Sequence, residues 1–248
     1  MKRLILLLIL LAVPAYAEDV QIARLSPAMV GGGVPVSTCD DSSCTGFLRC
    51  QNFENTGYDN SETWSEGGGG TVDEDEASTV LRGSQSLQII YDTSTTYAQN
   101  QLASGQTEIY LHFLFRCDDL PTGTRTILKG YSAGVTGLFN IYLLSNGTLR
   151  MVVGGADLTT TDAISADTNY RIWAYFHDAS GAGNDGQAWI EFTSTASTAP
   201  TGSGNKRVST TTHTDQDDWL YTRFNADEGT MFFDQFLMKT TAFSKVCE

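Results

Sequence analysis

The chain has 248 residues, 41% of them hydrophobic, and a formal net charge of -14. That length suffices for one large domain or two small ones. The negative charge disfavours binding to nucleic acid and to anionic membranes, which would repel it. No apolar run after the N-terminus approaches the roughly 18 residues needed to cross a bilayer, so we predict no membrane insertion.

The first 17 residues have the form of a secretory signal peptide. Lys2 and Arg3 precede an apolar run from Leu4 to Val13, and Ala15-Tyr16-Ala17 fits a small-x-small cleavage site. We therefore predict a mature chain that begins at Glu18 and a secreted or periplasmic protein. Residues 18–45 are predicted to be an irregular N-terminal segment, and residues 46–248 the folded domain.

Export permits disulfide bonds, and the five cysteines lie at positions 39, 44, 50, 117 and 247. An odd number leaves at least one thiol over. Cys39 and Cys44 could close a short loop, and Cys247 could pair with Cys39, Cys44 or Cys50. Cys117 falls on the apolar face of its strand and is predicted to be a small buried residue. Paired Cys-x-x-Cys spacing is missing, which disfavours zinc.

The folded region reads as short strands separated by turns. Residues 57–70, with a glycine run at 67–70, and residues 194–209 are predicted loops. Asn146-Gly147 between two apolar runs predicts a β-hairpin. No helix is predicted, so the pattern is typical of an all-β protein, a two-sheet antiparallel β-sandwich or jelly roll. The predicted strands are 47–54, 84–91, 108–116, 126–130, 138–144, 148–153, 170–177, 187–193, 218–225 and 231–239.

The strand from Tyr170 to His177 alternates strictly. Arg171, Trp173, Tyr175 and His177 share one face, while Ile172, Ala174 and Phe176 share the other. The apolar face is suited to a core, and the aromatic, hydrogen-bonding face is suited to a carbohydrate. The strand from residue 108 repeats the pattern, with Tyr110, His112 and Arg116 on its polar side.

Other predicted strands add polar side chains, and if all of these strands share a sheet, they form one aromatic, cationic surface. Such a surface could stack on sugar rings and bind carboxylate or sulfate through arginine. Alternation alone does not say which face points inward, and the alternative is that the aromatic rings fill the core. The added side chains are Asn140, Tyr142, Arg150, Trp189, Glu191, Tyr221 and Arg223, and the predicted ligand contacts are Trp173, Tyr175, Trp189, Arg116, Arg171, His177 and Tyr142.

Several short motifs occur in the order found in one superfamily. Asn52-Phe53-Glu54 is followed by Trp64, then by Arg82-Gly83-Ser84-Gln85-Ser86-Leu87, and near the end by Phe232-Phe233-Asp234-Gln235-Phe236. Over residues 47–243 the chain resembles the concanavalin A-like (legume-lectin, laminin-G-like) jelly rolls. That resemblance implies a lectin, a carbohydrate-binding module, a glycoside hydrolase or a polysaccharide lyase, so the fold alone does not settle the activity.

The resemblance also implies a structural Ca²⁺ ion where the first and last strands meet. The matching positions are Glu54 and Asp234, with Gly83 able to offer a carbonyl oxygen, and Asp73 or Asp75 could add a carboxylate. Calcium takes six to eight oxygen ligands, which carboxylates, carbonyls and water would supply. The alternative for residues 73–76 is a solvated acidic loop.

Two enzyme classes can be weighed on the residues. Retaining hydrolases of this superfamily carry a Glu-x-Asp-x-x-Glu strand, and no such pattern occurs here, which disfavours a hydrolase. A lyase needs a group that neutralises a uronate carboxylate and a base that removes the α-proton. The catalytic candidates of these types are Tyr110, His112, Arg116, Arg171, Tyr175 and His177, although the signature strands of alginate lyases are not visible.

The sequence therefore predicts an exported β-sandwich that binds polysaccharides, anionic ones included, on a concave aromatic and arginine-bearing sheet. The first alternative is a polysaccharide lyase that acts by β-elimination on a uronate polymer. The second is a non-catalytic surface or virion decoration protein whose sandwich mediates protein contacts.

Overall fold

A computed structural model describes residues 47–243, apart from 55–56, 59–62, 135–136, 182, 198 and 203. The proposed signal peptide, the segment 18–45 and three of the cysteines lie outside the described residues. Within that part of the chain there are fifteen strands and no helix, and hence none that is long and apolar enough to cross a membrane. The strands are β1 (Arg49–Gln51), β2 (Trp64–Gly67), β3 (Thr71–Glu76), β4 (Ser86–Ile90), β5 (Thr96–Gln106), β6 (Glu108–Cys117), β7 (Arg125–Tyr131), β8 (Gly137–Leu143), β9 (Thr148–Val153), β10 (Ala156–Ala163), β11 (Tyr170–His177), β12 (Gly186–Ser194), β13 (Arg207–His213), β14 (Trp219–Ala226) and β15 (Thr230–Lys239).

The strands form two antiparallel sheets that pack face to face. The eight-stranded sheet has the order β13-β12-β11-β6-β15-β4-β3, with β1 also paired to β15. The seven-stranded sheet has the order β10-β9-β8-β7-β14-β5-β2. This architecture confirms the predicted all-β, two-sheet antiparallel sandwich, and it fits a concanavalin A-like fold.

The core lies between the two sheets and is rich in phenylalanine. Alternate residues of each strand point into it, as the period of two requires. On β11 these are Ile172, Ala174 and Phe176, which are fully buried in the main core. The predicted apolar face of this strand is therefore the inner one. Cys117 is buried as predicted and is a free thiol, and burial raises its pKa to about 11.

The predicted hairpin forms between β8 and β9. Asn146 Oδ1 accepts hydrogen bonds from the Thr148 backbone N–H at 3.1 Å and from its hydroxyl. Gly147 has a φ of 82°, a left-handed conformation that glycine adopts without a steric penalty. The pairing places Tyr142 opposite Arg150 on the outer face of the sheet.

The prediction missed strands that lack a continuous apolar side. β13, within and just beyond the predicted 194–209 loop, is an edge strand rich in threonine, and most of its residues are not buried. β10 is the edge of the other sheet and is also largely polar. β5 sends the small Ala98 inward and has a register shift near its end, which breaks the apolar alternation. β2 and β3 lie in regions predicted as a loop and an acidic turn.

Phe224 on β14 joins the two sheets at the centre of the core, so its truncation should be costly. Its ring lies 4.6 Å from Phe233, 5.3 Å from Phe113 and 5.2 Å from Phe236. We expect Phe224→Ala to lower the free energy of unfolding by about 3–5 kcal/mol, as measured by urea denaturation. Thr211→Ala, at an exposed position of edge strand β13, should change it by less than about 0.5 kcal/mol.

Candidate functional site

The predicted ligand residues lie on two surfaces that face away from each other. β6, β11 and β12 belong to the eight-stranded sheet, whereas β7, β8, β9 and β14 belong to the seven-stranded sheet. The prediction of one continuous surface is therefore wrong, because alternation places a residue on a face but does not assign its strand to a sheet. The outer face of the eight-stranded sheet carries Tyr110, His112, Arg116, Arg171, Trp173, Tyr175, His177, Trp189 and Glu191, and that of the seven-stranded sheet carries Asn140, Tyr142, Arg150, Tyr221 and Arg223.

Trp173, the central predicted stacking residue, is sealed although it points away from the main core. It is 0% exposed and belongs to a second cluster with Leu237 and Phe243. Its ring centroid lies 4.5 Å from that of His112 and 5.6 Å from that of Phe243. Its Nε1–H donates to Thr193 Oγ1 at 3.1 Å. The indole therefore offers no face to a sugar, contrary to the prediction.

His112 and Arg171 lie beside Trp173 in a buried polar network. His112 Nδ1 is 3.1 Å from the carbonyl oxygen of Gln235, and Arg171 donates to Gln235 Oε1 at 3.2 Å. Gln235 interrupts β15 with a φ of 49°, at a shift in strand register. Burial, followed by the positive charge of Arg171, holds the pKa of His112 well below its usual value. These two catalytic candidates have structural contacts and no open path to a ligand.

Tyr110, Tyr175 and Trp189 stand side by side on three adjacent strands. The ring centroids of Tyr110 and Tyr175 are 4.5 Å apart, and those of Tyr175 and Trp189 are 6.0 Å apart. The guanidinium of Arg207 lies 4.0 Å over the Trp189 ring, and both tyrosine hydroxyls donate to Glu108. The ring faces are thus occupied by neighbours within this row, which leaves little area on which a sugar could stack.

The remaining predicted residues of this sheet do not converge. His177 is at the end of β11, with Nδ1 2.8 Å from the Asp178 carbonyl oxygen. Arg116, near the end of β6, forms ion pairs with Asp167 at 2.8 Å and Asp118 at 3.8 Å. Glu191 is buried and accepts hydrogen bonds from Thr201, Gly202 and Arg207, so it anchors the loop before β13.

The outer face of the seven-stranded sheet has a different character, and we call it the polar face. Four polar side chains are in register across β5, β14, β7 and β8. Arg223 pairs with Gln99 on one side and with Lys129 on the other, and Lys129 pairs with Asn140. Neighbouring strands are about 4.8 Å apart, so this central row spans about 14 Å. All four side chains are partly exposed.

Tyrosines flank the central row on both sides. On one side, Tyr221 lies two residues before Arg223 on β14, and it pairs with Tyr131 of β7. On the other side Tyr97 lies on β5, and Tyr142 pairs with Arg150. All four tyrosines are partly exposed. The polar face therefore combines aromatic rings, cations and amides, which are the groups that the sequence predicted for the other sheet.

Arg223 is held in place from three directions. Its Nε and Nη2 both donate to Gln99 Oε1, at 2.9 and 2.6 Å. Its guanidinium carbon lies 3.8 Å from the centroid of the Tyr97 ring and 5.0 Å from that of Tyr131. A guanidinium stacked in this way is pre-organised for oxyanions. Within the described residues, neither Arg223 nor Lys129 forms an ion pair.

Charge and proton affinity on the polar face favour an anionic ligand. Arg223 and Lys129 are two cations without described carboxylate partners on a chain of net charge -14, whereas Arg150 binds Asp157. Burial raises the pKa of Tyr131, and Arg223 opposes that shift. The phenol is therefore protonated near neutral pH, next to a cation that could neutralise a carboxylate.

Sequence reasoning missed Gln99, Tyr97, Tyr131 and Lys129. A signal existed in the alternating Tyr97-Ala98-Gln99-Asn100-Gln101, whose odd positions all point outward in the structure. It was overlooked because the inward residues are Ala98 and Asn100, which do not resemble an apolar core face. Arg223 and Asn140 were recognised as polar strand residues, but they were placed on the wrong sheet.

The residues suggested for calcium lie close to one another. Glu54 accepts hydrogen bonds from the Ser84 N–H and hydroxyl, and a Cβ on Gly83 would come within 1.7 Å of its Oε1. Asp234 is 1% exposed, and burial, with a further contribution from the charge of Glu54, raises its pKa well above the usual value. Two neighbouring carboxylates of this kind fit a hard cation.

Further acidic ligands are not provided by the described part of the chain. No group of three or more His, Cys, Asp or Glu side chains there could hold a metal ion, so Asp73 and Asp75 do not complete the set. Asp75 instead accepts a hydrogen bond from the Gly57 N–H at 3.0 Å. A calcium ion at Glu54 and Asp234 would depend on backbone oxygens and water for its other ligands.

Comparison with solved structures finds several proteins that are similar to this chain in fold. An endo-beta-1,4-glucuronan lyase from the fungus Trichoderma reesei aligns with a TM-score of 0.57 and 16% identity, over 81% of this chain and 98% of the lyase. A PL-14 alginate lyase from Aplysia kurodai aligns with a TM-score of 0.54 and 10% identity, over 79% of this chain and 99% of the lyase. The binding domain of botulinum neurotoxin serotype D aligns with a TM-score of 0.53 and 9% identity, over 80% of this chain and 49% of the toxin domain.

No protein-family model matches the chain, and no curated protein matches its sequence. At such low identities the structural likeness shows the fold alone, a β-sandwich shared by lyases and binding domains.

The calcium prediction can be tested through stability. Because the pKa of Asp234 is raised in the folded state, its charge costs stability; the cost is full above the folded-state pKa, and it declines below that pKa until it is lost below the ordinary pKa of the unfolded chain. In chelator, Asp234→Asn should therefore be neutral or stabilising. Added Ca²⁺ should raise the Tm of the wild type and leave that of Asp234→Asn unchanged. Asp119→Asn, at an exposed position, should respond like the wild type; equal calcium responses in all three proteins would contradict the prediction.

Proposed function

We propose that this protein binds an acidic polysaccharide on the polar face of its seven-stranded sheet. The observation that carries the proposal is Arg223, which is fixed by Gln99 and two tyrosines and has no described carboxylate partner. A carboxylate or sulfate group of a sugar would supply the missing counter-charge. This keeps the class of function predicted from the sequence and moves it to the opposite sheet.

The layout of the polar face suits a linear polymer. The central row of Gln99, Arg223, Lys129 and Asn140 crosses four strands, and tyrosines border it on both sides. Tyr221 and Tyr142 could pack against the apolar C–H faces of sugar rings while the row contacts their polar groups. The fold similarity to proteins described as polysaccharide lyases and as a toxin binding domain supports this kind of ligand.

A second candidate is β-elimination on a uronate polymer. It is favoured by the proximity of Arg223 and Tyr131, whose ring centroid lies 5.0 Å from the guanidinium carbon. Arg223 would neutralise the uronate carboxylate and so acidify the neighbouring C–H bond. As water takes that proton and the C=C bond forms, the glycosidic C–O bond would break, and the Tyr131 phenol would donate its proton to the leaving oxygen. The histidines proposed for this role from the sequence do not reach the polar face: His112 is buried and His177 is at the end of β11 on the other sheet.

Export belongs to the proposal as well. The signal peptide at residues 1–17 lies outside the described residues, so a mature chain from Glu18 and a secreted or periplasmic location are inferred from the sequence. Such a location would bring the protein into contact with extracellular polysaccharide, and it would allow the predicted pairing of Cys247 with Cys39, Cys44 or Cys50.

Binding can be measured by calorimetry with a polyuronate and a neutral glucan. We expect Arg223→Ala to weaken polyuronate binding by about tenfold or more, because it removes a charge-assisted hydrogen-bond donor. Arg116→Ala is the matched control, since it removes the same charge from the opposite sheet. If Arg116→Ala weakens binding as much as Arg223→Ala, or if the wild type prefers the neutral glucan, the proposal is wrong.

Lyase activity can be assayed on the same polymer by the ultraviolet absorbance of the unsaturated product. If the second candidate is correct, Tyr131→Phe should abolish product formation while retaining most of the binding, because only the phenol hydroxyl is removed. Tyr175→Phe, in the row of rings on the other sheet, should leave the rate unchanged. Product formation that survives Tyr131→Phe would exclude Tyr131 from the chemistry.

A further inference from the structure

We propose that Gln99 is a positioning residue that sets the anion selectivity of the polar face, an inference that rests on the proposed function of that face. Gln99 is directly opposite Arg223 on the neighbouring strand β5. Its side-chain oxygen accepts two hydrogen bonds from the guanidinium, at 2.9 and 2.6 Å. One neutral acceptor thus fixes the orientation of the only arginine in the central row.

This contact also fixes the orientation of the amide of Gln99. Because Oε1 faces the guanidinium, Nε2 must point away from it, and an amide nitrogen only donates. Within the described residues, neither Gln99 Nε2 nor Arg223 Nη1 donates to a protein acceptor. The pair therefore presents hydrogen-bond donors alone to a ligand. Such a set favours carboxylate or sulfate oxygens, which only accept.

The neutrality of Gln99 matters as much as its geometry. A carboxylate at position 99 would bind the guanidinium bidentately and cancel its charge. The arginine would remain in place, but its capacity to attract an anion would be lost. The Tyr97 ring also holds the guanidinium of Arg223 in place, with its centroid 3.8 Å from the guanidinium carbon. Gln99 therefore acts through Arg223, and its replacement should change selectivity more than fold.

The decisive comparison is Gln99→Glu against Gln101→Glu. Both add one negative charge to the same face of β5, but Gln101 is opposite Tyr221, whereas Gln99 is opposite Arg223. We expect Gln99→Glu to weaken polyuronate binding by about tenfold or more and Gln101→Glu by roughly twofold, since only the first forms a direct ion pair. Equal losses would show a general charge effect and overturn the proposal.

A ligand-free readout separates this inference from the proposed function. The Arg223 Nε–H signal in ¹H–¹⁵N NMR should be protected from exchange in the wild type and in Gln101→Leu, and should lose protection in Gln99→Leu. Unchanged protection in Gln99→Leu would overturn the positioning role.

Inorganic sulfate then serves as a minimal anion probe. Sulfate should shift the Arg223 signals in the wild type and in Gln101→Glu, and should not shift them in Gln99→Glu. If sulfate gives this pattern of shifts while no polysaccharide binds, the proposed function is wrong, and the inference that Gln99 and Arg223 form a pair of hydrogen-bond donors for anions is supported. If sulfate leaves the wild-type Arg223 signals unchanged, the donor pair itself is refuted.

Discussion

Strand β14 ties the core of this protein to its candidate site. Its inward residue Phe224 packs against three aromatic rings of the opposite sheet. The adjacent residue, Arg223, points outward between Gln99 and Lys129. Because successive side chains of a strand alternate, burial of Phe224 forces Arg223 onto the polar face. A one-residue slip of β14 would bury the cation and expose the ring, so the core enforces the register on which the site depends.

The two outer faces show how similar residues acquire different roles. Both carry tyrosines, arginines and amides. On the eight-stranded sheet, Phe243 and its neighbours cover Trp173 and His112, and the polar atoms of Arg171 are used inside the protein. On the seven-stranded sheet, Arg223 and Lys129 stay partly exposed, and Arg223 is bonded to a neutral amide instead of a carboxylate. The two faces therefore differ less in residue type than in two other properties: whether other side chains cover the polar groups, and whether the partner of the arginine is charged.

Electrostatics reinforces this contrast. The protein is strongly acidic overall, and two of its other arginines are paired with acids: Arg125 with Glu228 and Arg116 with Asp167. Exposed pairs of this type contribute little to stability, but they remove those cations from competition for an anionic ligand. The central row of the polar face is a place where an acidic polymer would meet two cations, Arg223 and Lys129, that have no described carboxylate partner.

The sequence by itself determined the fold class and most of the strands, because apolar alternation and turn residues are local signals. It identified β11 with its observed bounds, the apolar side of that strand and the hairpin at Asn146-Gly147. It also recognised Arg223, Tyr142 and Asn140 as polar strand residues. Only the tertiary structure decided which strands share a sheet, and with that which side chains form one surface. The pairing of Arg223 with Gln99 joins residues 124 positions apart, and the sealing of Trp173 depends on Phe243 from the far end of the described chain. Contacts of this kind leave no periodic trace in the sequence, because they depend on how distant strands come together.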